Sequence, residues 1–155
     1  MQSPEERLKE LGIILPRYPT PVGNYTPFVR HENLLFLSGQ GPLLEDGTKA
    51  TGKVGMDVTS EQAYEHARRV GMVMLSVIRE ALGSLDRAER VVKLLGMVNS
   101  TPEFNEHPKV INGCSDLFGQ IFGDQNKHAR SAVGMGSLPG QITVEIEAII
   151  AVHKD

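Results

Sequence analysis

The chain has little of several features that define whole classes of protein. Tryptophan is missing from its 155 residues and aromatic residues make up only 5%, so a surface that stacks nucleic-acid bases is not expected. Cys114 is the only cysteine, which excludes an internal disulfide and fits a reducing compartment, so a cytoplasmic location is predicted. The net charge is −3 and the sequence has no lysine or arginine block, which disfavours a nucleic-acid partner.

Long apolar runs are missing as well. None approaches the roughly 18 residues that a membrane-spanning helix needs, so no membrane partner is predicted. The first ten residues, MQSPEERLKE, are charged and do not fit a signal peptide. The remaining composition, 40% hydrophobic and 23% charged, is ordinary for a globular protein. A chain of this length is the size of one domain, and residues 1–155 are predicted to form a single domain.

Residues 1–24 are predicted to form a short helix and an extended arm. Ser3 and Glu6 can form a capping box at the start of the helix, and Gly12 is expected to follow its end. Residues 13–24 contain three prolines, which favour extended structure.

Alternating and helical apolar patterns predict seven further elements. Their order is β-β-α-β-α-β-β, which predicts an α+β domain with two helices on one face of a single mixed sheet. The strands are expected at Tyr25–Arg30, Leu34–Ser38, Val91–Asn99, Ser131–Ser137 and Ile142–His153, and the helices at Ser60–Leu82, capped by Ser60, and His107–Phe122.

The last strand has apolar residues on both of its faces. Val144, Ile146 and Ala148 alternate along one face, while Ile149 and Ala151 lie on the other. Because the two helices cover only one face of the sheet, the second face is predicted to be buried against another copy of the chain.

The chemistry-bearing residues concentrate in the segment from residue 128 to residue 148. Arg130 begins one strand, and Glu145 and Glu147 lie on the next, so the cation and the carboxylates are predicted on neighbouring strands. The planar fork of Arg130 suits a small carboxylate ligand, and Glu145 can move a proton or position a water. Spacing alone favours a simpler interpretation, a structural ion pair at the sheet edge, because such pairs are common.

Short motifs stand at the ends of these elements. They are Leu37-Ser38-Gly39-Gln40, Gly83-Ser84-Leu85-Asp86, Val98-Asn99, Val110-Ile111-Asn112, Ala129-Arg130-Ser131 and Val144-Glu145-Ile146-Glu147-Ala148. Their order and spacing over roughly residues 20–153 resemble the YjgF/RidA family, also labelled endoribonuclease L-PSP or imine deaminase. The resemblance implies a chorismate-mutase-like (YjgF) fold and a homotrimer with three ligand clefts between subunits.

The resemblance also implies an activity. This is the hydrolytic deamination of reactive 2-imino acids, or their enamine tautomers, to 2-oxo acids and ammonia, with no metal or organic cofactor. By resemblance, Arg130 holds the substrate carboxylate and Glu145 handles the proton or the water. The other positions that match the family's cleft residues are Tyr25 in the first strand, Ser38 after the second strand and Asn112 in the second helix.

Two departures from the common family pattern stand beside Arg130. His128 precedes Ala129-Arg130 where many members carry proline, and Ala132 stands where many carry cysteine.

Two alternatives to the deaminase stay open. In one, the trimer binds a small carboxylate metabolite, such as a 2-imino or 2-oxo carboxylate, without turnover, although a pure anion binder gains nothing from Glu145. The other, an endoribonuclease, is disfavoured by the net charge of −3.

Overall fold

The computed structural model describes all 155 residues. The predicted element order is confirmed, with eight regular elements along the chain. They are α1 (Pro4–Glu10), β1 (Phe28–His31), β2 (Leu34–Gln40), α2 (Ser60–Leu82), β3 (Ala88–Asn99), α3 (His107–Phe122), β4 (Ala129–Met135) and β5 (Val144–Val152).

The five strands form one mixed sheet in the order β1-β2-β5-β3-β4. Strands β3 and β4 run parallel and are connected through α3, whereas the other three pairings are antiparallel. The last strand of the chain is therefore central, and β4 lies at an edge. The predicted α+β class with a single mixed sheet is confirmed.

Helices α2 and α3 pack on one face of this sheet, as the sequence predicts. Alternate residues of β5, from Val144 to Val152, point into the core beneath the helices, because successive side chains of a strand lie on opposite faces. The core is one cluster of 30 buried residues drawn from both helices and the sheet.

The cap of α2 differs by one residue from the prediction. Thr59, rather than Ser60, is the N-cap: its hydroxyl accepts from the Gln62 amide at 3.1 Å, and its own amide donates to the Gln62 side chain at 2.9 Å. This reciprocal pair satisfies two amides at the helix start. Gly83 ends the helix with φ +82°, a conformation that favours glycine.

The first two strands also differ from their predicted bounds. Strand β1 begins at Phe28, so Tyr25 precedes the strand and does not belong to it. Pro27 carries no amide hydrogen for a ladder, and its carbonyl accepts from the Ser38 amide at 2.9 Å where the pairing with β2 starts. Strand β2 continues to Gln40, which places Ser38 inside the strand instead of after it.

The short N-terminal helix α1 packs against α3 and is joined to the last turn of α2 by an ion pair. Its predicted capping box, formed by Ser3 and Glu6, is present. Glu5 accepts from Arg79 at 2.6 and 3.0 Å and from the Leu85 amide at 2.9 Å. The hydrogen bond from Arg79 holds the pKa of Glu5 below its usual value, because it favours the charged carboxylate.

The sheet face opposite the helices carries exposed apolar side chains. Val29, Phe36 and Val133 are 55%, 40% and 37% exposed, and the registers of their strands place them on this face with Ile149 and Met97. An apolar surface of this kind is typical of a protein–protein contact.

Candidate functional site

Arg130 projects from β4 towards α3. It is in register with Leu94 of β3, whose side chain is fully buried, so Arg130 lies on the helix-covered face of the sheet. Its Nη1 donates to Ser115 Oγ at 3.0 Å and its Nη2 donates to the Pro108 carbonyl at 3.3 Å. A guanidinium has five N–H groups, so these two bonds orient it and leave donors for a ligand.

We name the cavity beside Arg130 the arginine pocket. It has a volume of about 320 Å³ and opens between α3, the start of β4 and the loop that joins them. Its hydrophobic lining residues are Val91 and Phe118, and its polar ones include Asn112, Ser115, Asp116, Asp124, Lys127 and His128. Arg130 is therefore a cation at the edge of a small polar cavity, an arrangement that suits a carboxylate ligand.

Two consecutive hydrogen bonds join Arg130 to His128. Because a guanidinium only donates, Ser115 Oγ accepts from it, and the hydroxyl proton of Ser115 can then go to His128 Nε2, 2.9 Å away. His128 is then the neutral tautomer with its proton on Nδ1. Burial, and next the charge of Arg130, lower the pKa of His128 and so favour the same neutral form.

Glu145 lines a different cavity, which we name the glutamate pocket. Its volume is about 640 Å³, and its lining includes Tyr25, Gly39, Lys49 and Thr51. Glu145 is half-buried. Burial raises its pKa, the nearby Glu147 charge raises it further, and Lys49 opposes both effects. A carboxyl group with a raised pKa is suited to acid–base chemistry near neutral pH.

Gly39 explains how Glu145 reaches this position. A Cβ atom at residue 39 would lie 2.7 Å from Glu145 Oε2, closer than real Cβ contacts. The β2–β5 register also shifts between Leu37 and Gln40, which locally bends the strand at this point. The Leu37-Ser38-Gly39-Gln40 motif therefore leaves space for the carboxylate against the backbone of β2.

Arg130 and Glu145 do not meet within one chain. Strand β3 separates β4 from β5, so the prediction that the two residues lie on neighbouring strands is wrong. Glu145 is in register with Met97, three residues from Leu94 on β3, and therefore lies on the opposite face from Arg130. Arg130 also takes part in none of the ion pairs of the chain, which contradicts the sheet-edge ion pair.

The other predicted site residues divide between the two pockets. Asn112 lies in the arginine pocket, one helical turn before Ser115. Tyr25 lies in the glutamate pocket and is 52% exposed. Ser38 lines neither pocket. Its hydroxyl donates to the Thr26 carbonyl at 2.7 Å. That bond ties the segment before β1 to β2.

The sequence prediction missed Ser115 and Lys49. Ser115 follows Asn112 by three residues on α3, so helical spacing could have placed it on the same side of the helix. Lys49 lies in the long loop between β2 and α2, where no periodic pattern indicates the direction of a side chain.

Two further observations concern the rest of the chain. Cys114 is fully buried in the core, and burial strongly raises the pKa of its thiol, so the reactive thiolate is disfavoured. Neither α2 nor any other helix combines the length and the apolar character that crossing a membrane requires.

A family comparison matches most of the chain. The family model described as "YjgF/chorismate_mutase-like, putative endoribonuclease" matches residues 5–144. The chain belongs to this YjgF family. The resemblance seen in the sequence motifs, and the chorismate-mutase-like fold that it implied, are thereby confirmed.

Comparisons with individual proteins extend this result. Protein TCP17 of Trypanosoma cruzi is 40% identical over 148 residues, which are 95% of this chain and 92% of that protein. The crystal structure of Atu1372 from Agrobacterium tumefaciens, a protein with unknown function, is 45% identical with a TM-score of 0.87, covering 97% and 94% of the two chains. A 2-iminobutanoate/2-iminopropanoate deaminase of Dermatophagoides farinae is 28% identical over 142 residues, which are 91% of this chain and 95% of that protein.

Proposed function

We propose that this YjgF-family chain deaminates reactive 2-imino acids, or their enamine tautomers, by hydrolysis, giving 2-oxo acids and ammonia. The observation that carries the proposal is the division of the candidate site. Arg130 and Glu145 line separate open pockets on opposite faces of one sheet. A complete site with an anion-binding arginine and a proton-handling glutamate then requires two copies of the chain.

The assembly that we propose is a homotrimer with its clefts between subunits. The exposed apolar face of the sheet would bury Phe36, Val133 and their neighbours against another copy. In such a trimer, the arginine pocket of one subunit and the glutamate pocket of the next form each cleft. The apolar face and the divided site support this arrangement independently.

The proposed chemistry uses side chains alone. Arg130 binds the substrate carboxylate through its free N–H donors and orients the imine carbon. Water adds to that carbon while the imine nitrogen is protonated, and Glu145 accepts a proton from the water, which forms a neutral carbinolamine. Glu145 then gives this proton to the nitrogen, the C–N bond breaks to release ammonia, and Glu145 accepts the hydroxyl proton as the carbonyl of the 2-oxo acid forms. A carboxyl whose pKa is raised by burial can serve in both directions.

One relative is named for this reaction, while the family description names an endoribonuclease. The deaminase of Dermatophagoides farinae matches 91% of the chain, although at 28% identity. The endoribonuclease of the family description has less support, because the chain carries a net charge of −3 and RNA binding depends on clustered cations. Carboxylate binding without turnover is the outcome that the experiment below must separate from catalysis.

The test is ammonia release from freshly generated 2-iminopropanoate and 2-iminobutanoate. We expect the wild type to accelerate release above the spontaneous rate and Arg130→Lys to lose most of that acceleration. Arg17→Lys, a change at an exposed arginine outside both pockets, is the matched control and should behave as the wild type. No acceleration with either substrate, together with clear binding of pyruvate, would favour the non-catalytic binder.

A further inference from the structure

A third cavity lies where β3 and β4 end, and no residue of the arginine or glutamate pocket lines it. Its volume is about 390 Å³. It includes one lysine, one histidine and two hydroxyl groups, but no aspartate or glutamate. The residues that matter for its chemistry are Lys53, Ser100, Thr101, Phe104, His107 and Gly134. A polar cavity with a cation and no carboxylate is electrostatically complementary to an anion.

The ammonium of Lys53 is held in place by two neutral acceptors. Its Nζ donates to Asn99 Oδ1 at 2.7 Å and to the Gly136 carbonyl at 2.6 Å. Asn99 is only 1% exposed, and its own amide donates to the Gly52 carbonyl at 3.2 Å, which fixes the direction of Oδ1. The cation is therefore positioned before any ligand arrives, and one of its three donors remains.

No carboxylate neutralises Lys53. The residue takes part in none of the ion pairs of the chain. Asp57 accepts from the backbone amide of Lys53 at 3.1 Å, but it does not line the cavity. A half-buried ammonium with neutral partners attracts an anion more strongly than a surface lysine that already has a carboxylate partner.

Ser100 and His107 supply hydrogen-bonding groups beside this cation. Ser100 is 7% exposed, and its Oγ lies 3.2 Å from His107 Nε2. A Cβ atom at Gly134 would lie 2.5 Å from that nitrogen and 2.7 Å from the hydroxyl oxygen, so the glycine is what lets the pair approach β4. Phe104 packs edge-on against the imidazole at 5.1 Å between ring centroids.

This pair is suited to binding rather than to nucleophilic catalysis. A hydrolytic serine needs a histidine whose second nitrogen is oriented by a carboxylate, and no carboxylate is hydrogen-bonded to His107. When His107 Nε2–H donates to Ser100 Oγ, the Ser100 hydroxyl is left to donate to a ligand.

We propose that this cavity is a second anion-binding site, which takes a small oxyanion of the phosphate or carboxylate type. The Lys53 ammonium supplies the charge, and the Ser100 hydroxyl, oriented by His107, supplies a hydrogen bond to an oxygen of the ligand. The site is separate from the proposed deamination, because neither Arg130 nor Glu145 lines it. Its occupancy does not depend on whether the chain turns over an imino acid.

The test is isothermal titration calorimetry of the full chain with inorganic phosphate and, separately, with acetate at low ionic strength. We expect Lys53→Met to weaken binding by about tenfold or more, the effect of removing a charge-assisted hydrogen bond. Lys154→Met removes the same charge from an exposed residue and should leave the affinity unchanged. The ligand that binds with the higher affinity, phosphate or acetate, then shows which oxyanion geometry the site prefers.

A second variant and a second measurement cover the case in which Lys53→Met does not fold. Ser100→Ala keeps both contacts of Lys53 and should weaken binding by about threefold, the effect of one neutral hydrogen bond. In nuclear magnetic resonance spectra, phosphate should shift the signals of His107 and Gly134. Absence of binding at millimolar phosphate and acetate overturns the proposal. So does binding that Arg130→Lys abolishes and Ser100→Ala leaves intact, since the anion would then sit in the arginine pocket.

Discussion

Arg130 and Glu145 lie on opposite faces of the same sheet, on strands that β3 separates. Each residue lines a cavity of its own. Ser115 accepts a hydrogen bond from the arginine, and Gly39 leaves space for the glutamate side chain. A single chain therefore contains both functional groups without bringing them together. This geometry makes the proposed deaminase testable by mixing two variants that are each impaired at one of the two residues.

The first prediction is that such mixing restores activity. Arg130→Lys and Glu145→Gln should each have lost most of the activity as pure proteins. When they are refolded together, a cleft is complete if its arginine comes from a Glu145→Gln chain and its glutamate from an Arg130→Lys chain. This holds for about a quarter of the clefts in a randomly mixed trimer. We expect ammonia release to recover to that level.

The control for this experiment is the assembly itself. Three chains of 17.0 kDa give a particle of about 51 kDa, which light scattering can verify for the wild type and for the mixture. A monomer at micromolar concentration contradicts the proposed cleft. If a trimer forms but mixing restores nothing, Arg130 and Glu145 do not act in the same cleft.

The second prediction concerns the anion-binding role of Arg130. Arg130→Lys should weaken the binding of pyruvate by about 1.5–3 kcal/mol, because an ammonium cannot reproduce the bidentate fork. The measurement is calorimetric titration, with Arg17→Lys as the matched change elsewhere. Equal affinity of wild type and Arg130→Lys would show that the guanidinium only connects β4 to Ser115 and Pro108.

The third prediction concerns His128 and acid stability. Its pKa is lowered in the folded chain, so below the ordinary value of about 6.5 the unfolded chain binds more protons than the folded one. The free energy of unfolding therefore falls as the pH drops through that range. His128→Gln removes this contribution but keeps a side chain that can form a hydrogen bond with Ser115. Its free energy of unfolding in urea should therefore change less than that of the wild type between pH 7.5 and pH 5.5, about one unit either side of the ordinary histidine pKa.

His66 serves as the comparison for His128. Burial also lowers the pKa of His66, whose Nδ1 lies 2.9 Å from the hydroxyl of the buried Thr143. His66→Gln should reduce the same pH dependence without affecting pyruvate binding, since His66 lies outside the arginine pocket. An unchanged pH dependence in His128→Gln would show that His128 is not held neutral.

Local patterns predicted the helices well because the signals are long and periodic. The bounds of α3 are those predicted, and α2 also spans the expected residues, although Thr59 caps it. Both Thr59 and Ser60 are good N-cap residues, and sequence alone does not say which backbone is extended. The ends of the first two strands were not predicted. Pro27 has no amide hydrogen for a ladder, but where β1 starts also depends on which strand pairs with it, and the sequence does not show this.

The partner of β4 could not be predicted from local patterns. The order of the strands along the chain suggested that β4 and β5 are neighbours, whereas β4 pairs in parallel with β3, to which α3 connects it. Strand β5 instead lies between β2 and β3, pairings that are distant in sequence. The site residues were identifiable by type and motif, but their faces follow from this register. The division of the site therefore became visible only in the structure.

The raised pKa of Glu145 sets the pH range of the proposed reaction. To accept a proton from water, Glu145 must be ionised, and burial shifts its ionisation above the ordinary value of 4.5. The rate of ammonia release should therefore fall on the acid side with an apparent pKa above 4.5. This acid limb is expected after correction for the spontaneous hydrolysis of the imine, which is also pH-dependent.

The fourth prediction is that Glu145→Gln removes both the rate and this acid limb. Glutamine keeps the size of the side chain, and the space that Gly39 leaves still accommodates it, but it cannot accept the proton. Deamination should fall by about 100-fold or more, the usual effect of losing a general acid or base. Pyruvate affinity should stay equal or rise slightly, because one negative charge is removed from the cleft. Full activity in Glu145→Gln, on a particle of unchanged mass, would assign Glu145 a structural role and leave carboxylate binding by Arg130 as the function of the cleft.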